Sequence, residues 1–385
     1  MDQTIRAAAA AWQSWRQTSL AERAEVLRRV ARRLRGEKER IGRLMTEEMG
    51  KPVKEAGPEV EKGAWCAEHY AEHAEAYLAD EVIASDASKS YVSYQPLGVV
   101  LCIFPWNAPI WVAMRGIVPA LMAGNTVVMK HDPHVPACAQ ALQQAFRDAG
   151  APADILGNLP IPTPLVEGAI RHPSVQAVSF TGSTKAGGIV AAMAASEIKH
   201  SVLELGGSDP FVVLADADLE AAADVATLSR VINAGQSCIA AKRILVEAPV
   251  YDRFVDMLVE RMARLKVGDP SRPDTDIGPI AREELRANLH RQVEASVAAG
   301  ARCRLGGELP EEPGFFYPAT LLADVSSEMP AFSEETFGPV MSVAKVADAA
   351  EALRVANDSE YGLGAAIWTA DADRALYFAN ELQAG

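Results

Sequence analysis

Several classes of protein are excluded by what this sequence lacks. Its five cysteines, at 66, 102, 138, 238 and 303, are odd in number and include no Cys-x-x-Cys pair, which argues against a disulfide framework and a zinc cluster. Its apolar stretches, such as Leu97 to Phe104 and Gly116 to Gly124, are far shorter than the ~20 residues of a membrane-spanning helix. No signal-peptide pattern follows Met1, so the expectation is a cytoplasmic protein without a membrane partner. Positive charge is scarce as well. Lys and Arg number 37 against 51 Asp and Glu, a net charge of −14, so the summed field repels a polyanion and nucleic acid is not an expected partner. The one basic stretch, residues 16 to 43, interleaves ten basic with four acidic side chains and has no aromatics through its densest part, Arg28 to Arg43. It reads as a solvated helix face. His69 and His73 stand at helical i, i+4 spacing but lack the glutamate of His-Glu-x-x-His, and a solvated face again suits them better than a metal.

A length of 385 residues at ~150 per domain suggests two to three domains, and 49% hydrophobic residues supply several cores. From Ile5 to about Leu78 the pattern is helical, with helices ending or bending near Gly50-Lys51-Pro52 and Gly57-Pro58. Asp80 to Gln95 reads as an exposed strand or hairpin. Short apolar strands then alternate with helices: strands Val99 to Phe104, Thr126 to Lys130, Val175 to Phe180 and Ser201 to Leu205, with helices Ile110 to Met122, Pro136 to Ala149 and Thr184 to Ser196 between them. A second alternating block follows Gly206-Gly207. This alternation predicts an α/β protein with a doubly wound parallel sheet, whose domains would enclose a crevice for cofactor and substrate.

Four segments carry candidate chemistry. The loop from Gly182 and Ser183 to Gly188 follows a strand and opens a helix; its backbone N–H groups suit a phosphate, or equally a plain helix cap. Trp106 and Asn107 lie just past an apolar strand, where an Asn amide can donate to an oxyanion or satisfy its own turn. Glu204, in Leu203-Glu204-Leu205-Gly206-Gly207, sits inside an apolar strand. Burial there would make it a usable general base, with a structural ion pair as the rival. Cys238, after Gly235-Gln236-Ser237, is in a glycine-containing loop, an unusual place for a structural cysteine. A thiol nucleophile with Asn107 as oxyanion donor and Glu204 as base makes a complete acyl-transfer set.

Together with Glu334-Glu335-Thr336-Phe337-Gly338-Pro339, these segments resemble the motif set of the aldehyde dehydrogenase superfamily, in order and approximate spacing. The resemblance runs from about Trp12 to the last residue. Lys130-His131 before Pro133, and Leu205-Gly206-Gly207-Ser208-Asp209-Pro210, look closest to bacterial NAD(P)-dependent succinate-semialdehyde dehydrogenases. The resemblance implies a dinucleotide-binding domain over 1–79 and 97–206, oligomerisation strands over 80–96 and a catalytic domain over 207–385. It implies Cys238, Glu204 and Asn107 as catalytic residues, with NAD or NADP as cofactor held by Trp106, Lys130, Gly182, Ser183, Glu335 and Phe337. Arg115 would bind the carboxylate of a substrate such as succinate semialdehyde, and the full-length parent would be a homodimer or homotetramer.

Three departures stand against this carry-over. Pro133 replaces the Glu that many NAD-using members have three residues after the ribose-binding Lys, although Asp132 is adjacent. Ile232 stands where a second substrate arginine would be. The ends of the family's pattern, N-terminal strands and a C-terminal glycine-rich segment and strand, are absent. The 385-residue chain alone is therefore expected to be poorly soluble or weakly active. Two rivals remain: a non-catalytic, truncated dinucleotide-binding paralogue, and a thiol acyltransferase or hydrolase.

Overall fold

The computed structural model describes residues 1–385 and divides them into two compact units, Met1–Glu48 with Ala56–Glu204, and Met49–Glu55 with Leu205–Gly385. The sequence reading kept 1–79 together. The seven residues from Met49 go with the second unit because Val53 N–H donates to the Pro270 carbonyl and Lys54 pairs with Asp276.

The first unit opens with helices α1 (Asp2–Trp15), α2 (Leu20–Gly36), α3 (Lys38–Met49) and α4 (Val53–Tyr77). A capping box between Ser19 and Glu22 starts α2. Its basic face is solvated and largely paired, Arg32 with Glu25 and Arg33 with Glu37 and Asp148. Of the two readings at Gly57-Pro58, an end or a bend, the end is excluded: helix α4 runs through it. Pro58 falls so near the helix start that the break costs one ladder bond, and burial of Ala56, Val60, Ala64 and Ala67 holds the turn. Strands β1 (Glu81–Val82) and β2 (Tyr91–Val92) form an exposed antiparallel hairpin.

Then come β3 (Val99–Phe104), α5 (Trp111–Met122), β4 (Thr126–His131), α6 (Pro136–Asp148), β5 (Leu156–Asn158), α7 (Val166–Ile170), β6 (Val175–Thr181), α8 (Thr184–Ser196) and β7 (His200–Glu204). The sheet order is β5-β4-β3-β6-β7 and all pairs are parallel. Strands β3 and β4 are buried at every position, hence their unbroken apolar runs. The order reverses between β3 and β6, so the loops after these two strands diverge and leave a crevice at their carboxyl ends.

The second unit contains β8 (Asp209–Val213), α9 (Leu219–Val231), β9 (Ala241–Glu247), α10 (Tyr251–Ala263), α11 (Glu283–Ala298), β10 (Arg302–Leu305), β11 (Thr320–Ala323), α12 (Pro330–Ser333), β12 (Val340–Val346), α13 (Ala349–Asn357), β13 (Ala366–Trp368) and α14 (Ala372–Glu381). Its sheet runs β10-β11-β12-β9-β8-β13, with only β10 antiparallel. Strand alternation splits the core between the two faces. Phe211, Val213, Ile244 and Val246 pack with α9 and α10 on one face, and Val212 and Leu245 with α11 and α13 on the other.

Candidate active site

In the second unit, α9 ends at Val231 and the chain turns through three consecutive left-handed residues, Asn233 (φ 56), Ala234 (φ 55) and Gly235 (φ 72). For a non-glycine residue this conformation costs roughly 1–2 kcal/mol, so the surroundings must hold it. Hydrogen bonds at Asn233 and Gln236 do so. Asn233 N–H donates to Glu55 Oε2 (2.7 Å), the Asn233 side-chain amide donates to the Gln236 carbonyl (3.1 Å), and Gln236 Nε2 donates back to the Asn233 carbonyl (3.1 Å). Gln236 Oε1 accepts from Ala281 N–H (2.9 Å). Only glycine fits at 235, since a Cβ there would stand 2.2 Å from the Gly338 carbonyl oxygen.

This turn presents Cys238, which is half-buried. Burial pushes the thiols of Cys66 and Cys102 up to about 11 and about 12, so they have little thiolate to offer. Cys138 is also buried, and Cys303 lies on β10 with its thiol facing the carbonyls of Leu305 and Gly306. Gly207 is required by close approach: a Cβ at 207 would come within 2.6 Å of the Cys238 carbonyl oxygen.

Two buried cations bind the separate motifs into one arrangement. Arg230 Nη2 donates to the carbonyls of Gly235 (2.7 Å), Thr336 (3.3 Å) and Gly338 (2.5 Å), tying the cysteine turn to the segment that holds Glu335 and Phe337. Lys242 Nζ donates to the carbonyls of Ser237 and Cys238, both at 2.8 Å, and pairs with Glu335 Oε1 at 3.4 Å. That same oxygen accepts from Gly207 N–H at 3.2 Å. Three sequence-distant motifs therefore converge on Cys238 through contacts of residues 230 and 242, which the sequence reading did not single out. Positive charges inside a strand and a helix were the signal available, and it is a weak one.

In the first unit, Trp106 and Asn107 are buried just past β3. Two groups shape their loop. Glu59 Oε1 accepts from Ile110 and Trp111 N–H (2.9 and 3.1 Å), supplying the start of α5 with a carboxylate. His131, at the end of β4, accepts Asp132 N–H at Nδ1 (3.0 Å) and so donates from Nε2 to the Pro109 carbonyl (2.9 Å). Its burial favours the neutral ring and lowers its pKa, against the Pro109 bond. The loops after β3 and β4 are thereby fastened together.

A pocket of about 220 Å³ lies beside them, lined by His131, Asp132, Pro133, Pro136, Asn158 and Ile161. That is below the ~300–1,000 Å³ of a whole drug-sized site, and suits one ring system of a larger ligand. Lys130 is buried in β4, and desolvation lowers its pKa while Asp132 opposes the shift. Across the reversal of strand order, Ser183 caps α8 by accepting Ala186 N–H (3.3 Å), and Gly182 N–H donates to the Glu204 carbonyl (3.0 Å). A ring-sized pocket, a buried lysine and a helix N-terminus at the carboxyl ends of a reversing parallel sheet fit a dinucleotide.

Glu204 differs from its expected setting. It is not enclosed in an apolar strand, because β7 is the edge of the sheet and is largely exposed. Its side chain is 40% exposed and pairs with Arg115 Nη2 at 3.3 Å, the Arg115 side chain being 36% exposed. The ion pair that the sequence left open is present, and it joins the expected base to the expected substrate-binding arginine. Of the ten expected site residues, Cys238, Glu335 and Phe337 lie in the second unit and the other seven in the first.

The aldehyde dehydrogenase family model matches residues 1–385. The chain is 44% identical over its whole length to a succinate semialdehyde dehydrogenase [NAD(P)+] of Escherichia coli, covering 83% of that protein. It is 46% identical to succinate-semialdehyde dehydrogenase [NADP(+)] 1 of Mycobacterium tuberculosis, covering 100% of this chain and 85% of that protein. Among solved structures, succinic semialdehyde dehydrogenase from Streptococcus pyogenes with NADP+ as the cofactor superposes with a TM-score of 0.97 at 35% identity, covering 100% of this chain and 85% of that one. Lactaldehyde dehydrogenase from Escherichia coli gives a TM-score of 0.96 at 37% identity, with 99% and 81% covered. This chain belongs to the aldehyde dehydrogenase family.

Proposed function

We propose that the protein oxidises a short ω-carboxy aldehyde, succinate semialdehyde or a close analogue, to the acid with NAD or NADP as the acceptor. The observation that carries this reading is the Cys238 turn, left-handed, held by the hydrogen bonds of Asn233, Gly235 and Gln236, and presenting a half-buried cysteine whose carbonyl is tied to Glu335 through Lys242. The Cys238 thiolate adds to the aldehyde carbon. The alkoxide that forms is held by the Asn107 amide and the Cys238 backbone N–H. The nicotinamide, when bound, supplies the hydride acceptor. Glu204 then deprotonates a water that attacks the Cys238 thioester; the sulfur leaves as thiolate and the carboxylic acid is released. Arg115 receives the distal carboxylate of the substrate.

Lys130, Ser183 and the loop at Gly182 would hold the adenosine ribose and pyrophosphate, Trp106 the cofactor's central region, and Glu335 with Phe337 the nicotinamide ribose. Asp132 lines the ring-sized pocket, and its carboxylate accepts from His134 N–H at 2.9 Å. It can accept a ribose hydroxyl as well, which tilts the choice toward NAD with NADP usable. The exposed hairpin of β1 and β2 offers an edge through which copies of the chain would assemble as a homo-oligomer. Cysteines outside any disulfide framework suit a reducing, cytoplasmic setting, and no helix is long and apolar enough to cross a membrane.

Absorbance of NADH or NADPH against a panel of aldehydes tests the reading. Wild type should favour succinate semialdehyde, and Cys238→Ala should lose oxidation while still binding dinucleotide. Oxidation surviving in that variant would refute the covalent route.

A further inference from the structure

A charged group lies buried directly behind the nucleophile's turn. Lys242, on β9, has no accessible surface. An ammonium carries three N–H donors, and three oxygens face this one: Ser237 and Cys238 carbonyls at 2.8 Å and Glu335 Oε1 at 3.4 Å. A neutral amine would have two donors and a lone pair turned toward an oxygen. An apolar side chain would fill the same space on β9 without the desolvation that a buried cation suffers, so packing alone gives no reason for a lysine here.

We propose that Lys242, as its ammonium ion, is a positioning residue of aldehyde oxidation: it holds the Cys238 main chain against Glu335 and lends its positive charge to the Cys238 thiolate. The proposal rests on the assignment of Cys238 as the nucleophile. Lys242 passes no proton to substrate; it stays charged while sulfur adds and leaves. Among its neighbours, Glu335, Asp209 and the Cys238 thiolate favour the ammonium, and Arg230 opposes it. Burial is the largest influence and pulls the group down to about 8, so the device stands close to its own titration in mildly alkaline solution.

The test is alkylation of Cys238 by iodoacetamide in the resting protein, without dinucleotide or aldehyde, read on the Cys238 peptide by mass spectrometry from pH 6 to 10. In K242M the pH midpoint should move upward and the rate at pH 7.5 should fall roughly tenfold, the scale of one lost charge-assisted hydrogen bond. K242R, which keeps the charge, should retain most of the wild-type rate. A folded K242M with the wild-type profile would overturn the proposal. Should K242M fail to fold, K242Q takes its place, with the same upward move of the midpoint expected and an unchanged profile overturning the proposal. Loss of the nucleophile assignment itself would show separately, as oxidation retained by Cys238→Ala.

Discussion

Arg115→Ala tests the link between substrate choice and the base. In the resting chain the guanidinium already pairs with Glu204 at 3.3 Å, both side chains being more than one-third exposed. An incoming carboxylate must share the fork or displace Glu204, and five N–H donors make sharing possible. A hydrogen bond between charged partners contributes ~1.5–3 kcal/mol, while an exposed pair of this kind is worth ~0.2–1 kcal/mol. Displacement subtracts the second from the first, leaving on the order of 1–2 kcal/mol, or about 5- to 30-fold in kcat/KM. Initial rates of NAD(P)H formation on succinate semialdehyde and on uncharged butanal give the comparison. The variant should lose that factor on the semialdehyde and less than about twofold on butanal. In a Glu204→Gln background the competing carboxylate is gone, so the Arg115→Ala penalty, read on the first-turnover burst, should move to the upper end of the range. Equal losses on both aldehydes would refute the reasoning and leave Arg115 as a holder of Glu204 alone.

Glu204→Gln by itself should give a first-turnover burst of reduced cofactor followed by slow turnover; loss of the burst would reassign Glu204 to activating the thiol. Gly235→Ala would force a Cβ within 2.2 Å of the Gly338 carbonyl and 2.6 Å of Arg230 Nη2 at φ 72, so it should destabilise the second unit by at least about 3 kcal/mol in urea unfolding; a wild-type midpoint would contradict the close approach. Burial raises the Asp209 carboxyl to about 6, with Lys242 opposing. Because its folded value lies above the unfolded ~3.9, its stabilising share is complete below about pH 4 and is lost as pH rises through 6. Wild-type stability relative to Asp209→Asn should therefore fall by up to about 3 kcal/mol from pH 4 to 7, and a difference flat across that range would reject the shift.

Much of the scaffold was legible because its signals are local. Strands β3 and β4 read as strands from continuous apolar runs, since a central parallel strand is buried on both faces. Helix α8 was bounded correctly at Thr184 and Ser196 because Ser183 is a cap and its preference acts over three residues. Pro58 left open whether the helix ends or bends, because a proline forbids one hydrogen bond locally, whereas the burial that carries α4 past it is distributed along the helix.

The sequence by itself determined the alternation of strands and helices and the order of the motifs, because periodicity, caps and glycine-bearing turns are properties of neighbouring residues. Tertiary structure alone decided the rest. Glu204 was expected to be buried, yet whether a strand is central or at an edge depends on which strands flank it, and β7 has a partner on one side only. The left-handed Asn233 and Ala234 carry no mark in the sequence; the contacts that hold them come from residues as distant as Glu55 and Ala281. Lys242 and Arg230 are ordinary cations in a linear reading. They acquire their roles because folding brings the carbonyls of residues 235–238 and 336–338 within reach of their nitrogens, and a buried charge is tolerable only where such oxygens replace the water it has lost.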